Sequence, residues 1–289
     1  MNWRYKNAKY IREGQVYLDF GFITAWRREL RALNRKKIGA RYVYPESLIR
    51  FCSVLKVVFG LGYRQEQGFL EGMQKWVPIP NVPSYSQLQR RITKLGLDLV
   101  RGLAEHGEGQ IIAIDSTGIK LYNSGEWIRE KHKKRKPFLK LHIAVNIKTK
   151  QAVAIEITED SVGDNKLAIK LVDKARKVKR VAKALLDGAY DTYSIWQGLT
   201  VRAIRPLIRL RKNAVINYDR SKARSQAIKC YKGHEKEWVK ATGFGQRWQA
   251  ETWYSSFKRR FGEHCYSKKP ENVLHELLMK ACLCNKLII

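Results

Sequence analysis

The chain has 289 residues, of which 57 are Lys or Arg and 26 are Asp or Glu, giving a formal net charge of +31 at pH 7. Hydrophobic residues at 44% and aromatic residues at 11% exclude a disordered polyelectrolyte. An excess of cations this large points to a polyanionic partner, with nucleic acid first. No stretch reaches the ~18 uninterrupted apolar residues of a membrane span. MNWRYKNAKY at the start lacks an apolar signal core. The expected location is therefore intracellular. The five cysteines (Cys52, Cys230, Cys265, Cys282 and Cys284) are odd in number and irregularly spaced, so they form no disulfide framework. The lone CxC of Cys282 and Cys284 lacks the second pair that a structural zinc needs.

The N-terminal third reads as helical. PESLIRFCSVLKVVFG (45–60) starts with Pro45 in its first turn and stops at Gly60, with Leu48, Cys52, Leu55 and Phe59 on one apolar face. A second helix is expected over roughly 63–76, broken by VPIPNVP (77–83). Ser84 then caps a third, YSQLQRRITKLGLDLV, with Leu88, Ile92, Leu95 and Leu99 inward and Gln87, Arg90, Arg91 and Lys94 outward. Residues 63–99 suggest a helix-turn-helix whose last helix reads DNA; the plain alternative is a solvated basic face.

After GEG (107–109) the pattern changes. QIIAIDST (110–117), FLKLHIAVNI (138–147) and AVAIEITE (152–159) read as strands, the last two joined by the hairpin signal NIKTKQ. A helix over about 164–177, a strand KALLDGAY (183–190), a short helix and a strand AIRPLIRLR (203–211) follow. Residues 212–245 read as basic and irregular, and two helices close the chain. This order predicts an α/β fold with a mixed sheet covered by helices. It divides the chain into a helical region over 1–106 and an α/β domain over 107–289. The run REKHKKRK (129–136) reads as a connection between the first two strands.

Three carboxylates stand out. Asp115 and Asp187 each end a short apolar run, IIAID and ALLD, which places them at strand ends, where desolvating a charge is costly without a compensating cation. Capping of the next turn is the plain alternative for each. Glu251 lies in QRWQAETWYSSFKRRFGE (246–263). At about 100° per residue it shares a narrow helix face with Arg247, Tyr254 and Lys258, beside a stripe of Ala250, Trp253, Phe257 and Phe261 that packs on the sheet. Two strand-end aspartates and a helix-borne glutamate together suit two divalent cations bound by carboxylates from separate elements. Lys140 and His142 alternate on the second strand and face one side, which meets either DNA or solvent. Trp248 points away from the apolar stripe, either to stack an unpaired base or to pack under the basic loop.

In this order, IDSTGIK, LLDGAYDT and RWQAETWYSSFK resemble the three catalytic blocks of the compact DDE transposases of bacterial and archaeal insertion sequences. The third block of that family reads Tyr, two residues, Arg, three residues, Glu, six residues, Lys. Phe244, Arg247, Glu251 and Lys258 fall at those intervals, with Phe244 lacking the tyrosine hydroxyl. NWRYKNAKYIREG, YVYPESLIRFCSVLKVVFGLGYRQEQGFL and FLKLHIAV are similar to the same family, so the resemblance runs nearly end to end. It implies a ribonuclease-H-like mixed five-stranded sheet with flanking helices, preceded by a helical DNA-binding region. It implies two Mg²⁺ ions, with Mn²⁺ able to substitute, held by Asp115 as the bridge and by Asp187 and Glu251. It also implies cleavage at the element ends and joining of the 3′ hydroxyl to target DNA, with Arg247 and Lys258 gripping phosphates. The partners implied are double-stranded terminal inverted repeats, target DNA and further copies of the chain, a dimer or larger. Two alternatives stay open: a ribonuclease-H-like nuclease that cuts without joining, and a non-catalytic DNA-binding descendant of a transposase.

Overall fold

The computed structural model describes residues 3–97, 99, 109–121, 138–267 and 269–288. The basic run at 129–136 lies outside the described residues. The chain forms two compact units, one built mainly from Met1–Asp98 with Tyr266–Leu287, the other from Leu99–Cys265.

The first unit is helical: Trp3–Tyr17, Gly21–Asn34, Glu46–Phe59, Tyr63–Met73, Tyr85–Thr93 and Pro270–Leu287. The third helix follows extended Pro45 and stops at Gly60, whose φ of 64° suits a residue without a Cβ. Ser84 caps the fifth, its hydroxyl accepting from the Gln87 N–H at 3.4 Å. Leu48, Cys52, Leu55, Leu88, Ile92 and Leu95 are buried as their spacing predicts, and Leu70 is buried as well. Phe59 is not: it lies exposed in the last turn, with its ring centroid 5.7 Å from that of Phe69. The connection from Gln74 to Ser84 is longer than the ~3–4-residue turn of a helix-turn-helix. The terminal helix, expected with the sheet, belongs to this unit. It buries Val273, Leu277, Ala281 and Cys284 and packs on Glu46–Phe59.

The second unit is built on a mixed sheet of β1 (Gln110–Leu121), β2 (Phe138–Asn146), β3 (Ala152–Glu159), β4 (Val181–Leu186), β5 (Arg205–Ile208) and β6 (His264–Cys265). The order is β3-β2-β1-β4-β5, with β6 paired to β1. The pairs β1–β2 and β2–β3 are antiparallel, while β1–β4 and β4–β5 are parallel. This is the ribonuclease-H-like arrangement, with a sixth strand of two residues added to the five expected. In the hairpin between β2 and β3 the Asn146 side chain accepts from the N–H groups of Lys148 and Thr149, at 2.9 and 3.1 Å. Helices Ala168–Val178, Tyr193–Val201 and Trp248–Phe261 pack on the sheet. Ile112, Ile114, Leu171, Val172, Leu186, Trp196 and Leu199 lie in one core.

Residues 212–245, expected to be irregular, instead hold helices Lys222–Tyr231 and Glu235–Thr242. Ser221 caps the first, and Gly243, with φ 71°, ends the second. The rings of Tyr231, Trp238 and Phe244 pack in series at 5.1 Å. Ala223, Ala227, Ile228 and Tyr231 recur at helical spacing and pack on the core, a short stripe easily lost among the surrounding charges.

Candidate active site

The strand register explains where the acids meet. Ala113 of β1 pairs with Leu185 of β4 in parallel. Asp115 and Asp187 each lie two residues further on along neighbouring strands. Asp187 stands just past the end of β4, whereas Asp115 lies inside β1, which continues to Leu121, and so is not at the strand end that IIAID suggested. Asp187 also caps the turn that follows it, as its plain alternative predicts, while Asp115, inside a strand, has no turn to cap. Asp115 Oδ1 accepts from the Ser116 N–H at 2.9 Å, and Asp187 Oδ1 from the Gly188 N–H at 2.6 Å. Capping and facing a common site are therefore compatible.

Glu251 reaches the same place from the helix Trp248–Phe261. Ala250, Trp253, Phe257 and Phe261 are buried, as the stripe predicts, and the helix packs on β1 and β2. Tyr254 belongs to the anchor rather than to the exposed face shared with Glu251. Its buried hydroxyl lies 2.8 Å from the Asp115 carbonyl and 2.7 Å from the Leu141 carbonyl, so one proton is shared between two acceptors. Burial holds this phenol well above its usual pKa. The glutamate helix is thus pinned to the backbone of the residue that carries the first acid.

Arg247 links the acids. Its Nη2 donates to Glu251 Oε1 at 2.5 Å and its Nη1 lies 3.5 Å from Asp115 Oδ2. The Asp115 carboxyl titrates above its ordinary value. Burial is the main cause, Glu251 and Asp187 add to it, and the Ser116 N–H and Arg247 pull only partly back. Asp115 therefore feels both other acids. Among the described residues no three His, Cys, Asp or Glu side chains already stand as a metal-holding group. The donor set nonetheless suits a hard divalent cation: carboxylate oxygens from three elements, with excess negative charge centred on Asp115.

The remaining expected residues divide. Lys258 lies 3.5 Å from Glu263 Oε1, paired beyond the glutamate rather than with it. Trp248 is 51% exposed and so does not pack beneath the basic segment. Lys140 Nζ donates to the Val162 carbonyl at 3.1 Å and lies 3.4 Å from Asp164 Oδ1. His142 is a correction. It has no exposed surface, and its Nε2 lies 2.9 Å from Thr158 Oγ1, so it offers nothing to DNA. The reason is that β2 is an interior strand with helices Ala168–Val178 and Trp248–Phe261 both packed against it. Burial lowers the His142 pKa, with Asp164 opposing.

In the helical unit, Arg90 and Lys94 are exposed and Gln87 is half-buried. Arg91 is engaged internally: Nη2 donates to the Tyr44 carbonyl at 3.3 Å, and its guanidinium lies 5.0 Å from the Tyr42 ring centroid.

Sequence reasoning missed Asp191 and Arg224. The Asp191 carboxylate is wholly buried and accepts both arms of the Arg224 fork, at 2.7 and 2.8 Å. A second acid four residues after Asp187 in LLDGAYD was the available signal. Arg224, inside a basic stretch that reads as irregular, gave none.

Residues 106–286 match the model of a family described as Transposase DDE domain, and residues 11–124 match a second model of the same description. Among solved structures, a piggyBac transposase synaptic complex with hairpin DNA is similar at 12% identity. The match covers 96% of this chain and 74% of that chain, with a TM-score of 0.41. A simian T-cell lymphotropic virus intasome in complex with PP2A regulatory subunit B56 gamma is similar at 13% identity. That match covers 68% of this chain and 67% of that chain, with a TM-score of 0.25. Both structural likenesses are weak at those values.

Proposed function

Because this chain belongs to the transposase DDE domain family, we propose that it binds the terminal inverted repeats of its own element, cleaves the phosphodiester bond at each end and joins the freed 3′ hydroxyl to target DNA. The observation that supports this most is the convergence of Asp115, Asp187 and Glu251 at one end of the sheet, with the Asp115 carboxyl perturbed by both of the others. Asp115, Asp187 and Glu251 would hold two divalent cations, Mg²⁺ or Mn²⁺. When bound, these supply Lewis-acid activation of the attacking oxygen and neutralise charge on the phosphate.

The chain's own groups do the rest. Arg247 holds Glu251 and Asp115 together and offers a guanidinium to a phosphate oxygen at the scissile bond. Tyr254 fixes the glutamate helix against β1, keeping Glu251 in register with Asp115. Lys258 and Lys140 lie further out as phosphate contacts, which position a strand without reading it. Trp248, half exposed in the first turn of the helix, offers a ring for an unpaired base. The exposed Arg90 and Lys94, with Gln87, would read the repeat. Synapsis of two ends calls for at least a dimer.

The test is a strand-transfer assay with inverted repeats that flank the gene, in Mg²⁺. Joined products support the reading. Nicked ends that never join to target point to a nuclease, and DNA shifted without nicking points to a binding protein.

A further inference from the structure

A hydrogen-bonded chain runs from Asp187 into the helix Lys222–Tyr231. Asp187 Oδ1 accepts from the Gly188 N–H at 2.6 Å. The carbonyls of Gly188 and Ala189 accept from the Arg211 guanidinium, at 3.2 Å from Nε and 3.4 Å from Nη2. The Arg211 backbone N–H donates to Asp191 Oδ2 at 3.3 Å. Asp191 Oδ1 accepts from Arg224 Nε at 2.7 Å and from the Trp196 indole at 2.9 Å, and its Oδ2 from Arg224 Nη2 at 2.8 Å. The remaining Arg224 arm donates to the Val215 carbonyl at 3.1 Å, and the guanidinium lies 5.0 Å from the Tyr193 ring centroid.

Asp191 thus takes two donors on each oxygen, which fills the acceptor sites of a carboxylate. No oxygen is left for a cation, although Asp191 stands four residues after Asp187 in the same block. Its bonds instead tie together three segments: the turn after β4, the segment after β5 and the helix Lys222–Tyr231. The turn they converge on is the one that holds the Asp187 carboxylate.

We infer that Asp191 is a positioning residue for the reaction: through Arg224 and Arg211 it locks the helix Lys222–Tyr231 to the turn that aims Asp187. The inference rests on the proposed role of Asp187 as a cation ligand. Such ligands work only when held to within about 0.5 Å. Asp187 lies beyond the last ladder pair of β4 and is followed by glycine, so the strand alone does not hold it. Hydrogen-bonded partners behind a metal ligand change affinity or activity by about 10–100-fold.

The test uses the full chain and Mn²⁺ alone as the probe, with calorimetric Mn²⁺ binding, amide hydrogen exchange and single-turnover nicking of end DNA. Two variants are compared with wild type. Asp191→Asn combined with Arg224→Gln removes both buried charges together, so neither is left uncompensated. Arg211→Ala alters only an exposed side chain. The paired variant is expected to exchange faster at 188–190, to bind Mn²⁺ about 10–100-fold more weakly and to regain part of its nicking at high Mn²⁺. Arg211→Ala should show the same changes, but smaller. Faster exchange with unchanged Mn²⁺ affinity and nicking would make the lock purely structural and overturn the inference, as would unchanged exchange. Wild-type Mn²⁺ binding that Asp187→Ala does not weaken would also overturn it. A wild type that binds Mn²⁺ through Asp187 yet never nicks end DNA would count against transposition, while the binding and exchange results would still decide the lock.

Discussion

Asp191 in the sheet unit and Glu66 in the helical unit are both buried carboxylates, and the two are kept in opposite ways. In the sheet unit, burial alone would raise the Asp191 pKa, but the Arg224 fork, the Trp196 indole and the Arg211 N–H hold it below its ordinary value. In the helical unit, Glu66 is completely buried and neither of its oxygens has a hydrogen-bond partner among the described residues. Burial pushes its pKa up to about 8, with Lys56 pulling only partly back. Burial sets the cost of a charge, and its partners decide whether the charge survives. The donors around Asp191 keep that acid ionised, so that it can hold its neighbours. The helical unit carries an acid that folds best when protonated.

The largest expected effects fall on the sheet unit. Asp115→Ala and Glu251→Ala should abolish end cleavage while a gel shift of end DNA stays as strong or strengthens, since negative charge near phosphate has been removed. Retained nicking in either variant would break the distinction between acids that serve chemistry and those that do not.

Glu66 sharpens the comparison through stability. Its folded pKa, about 8, lies above the 4.5 of an ordinary glutamate. The folded state therefore holds a proton that the unfolded state releases. The associated stabilisation is full below pH 4.5 and is lost as pH rises towards 8. At about 1.36 kcal/mol per pKa unit, the loss is a few kcal/mol at most, reduced by the Lys56 charge. Glu66→Gln should lose this pH dependence, and denaturant titrations at pH 5 and pH 8 would measure it. A wild type equally stable at both, with no change in the variant, would refute the protonated state.

Recognition should be weaker in energy and confined to the helical unit. Arg90→Ala should cost about 1–3 kcal/mol of discrimination between end and random DNA if the guanidinium meets a base edge. Arg91→Ala should act more through folding, because its guanidinium already serves Tyr44 and Tyr42. Footprints that neither change alters would move recognition elsewhere in the helical unit.

Lys258 carries the smallest effect. Its pairing with Glu263 leaves it beyond the carboxylates, so Lys258→Ala should slow cleavage by misplacing the strand without weakening cation binding. Lys258→Arg should rescue only part, because a planar fork and a point charge hold phosphate differently. A rate within about twofold of wild type would reduce the lysine to surface charge.

Much of this was legible in the residues. ALLD announced a strand that ends in an acid, and the 3.6-residue period of 248–261 separated Glu251 from its buried stripe. IIAID announced a strand but not its length, since β1 runs on past Asp115 to Leu121. Tyr254 was misplaced because helical angle alone does not tell an exposed face from one reaching across the sheet edge to a carbonyl. His142 was read as surface because alternation on a strand says which residues share a side, not whether a helix covers that side. The helices at 222–242 were overlooked because the stripe that packs the first of them on the core, Ala223, Ala227, Ile228 and Tyr231, is short, made partly of small residues and set among charges. The Asp191–Arg224 bond joins residues on separate elements, and no local pattern encodes it.

The most direct measurement is single-turnover cleavage of end-labelled inverted-repeat DNA in Mg²⁺ by wild type and by Asp187→Ala, with hydrogen exchange confirming that both are folded. Wild type should yield 3′-hydroxyl nicks at the element end and joined product, and the variant should yield neither while still shifting the DNA. A folded Asp187→Ala that nicks at the wild-type rate would contradict the assignment of the strand-borne acids to catalysis.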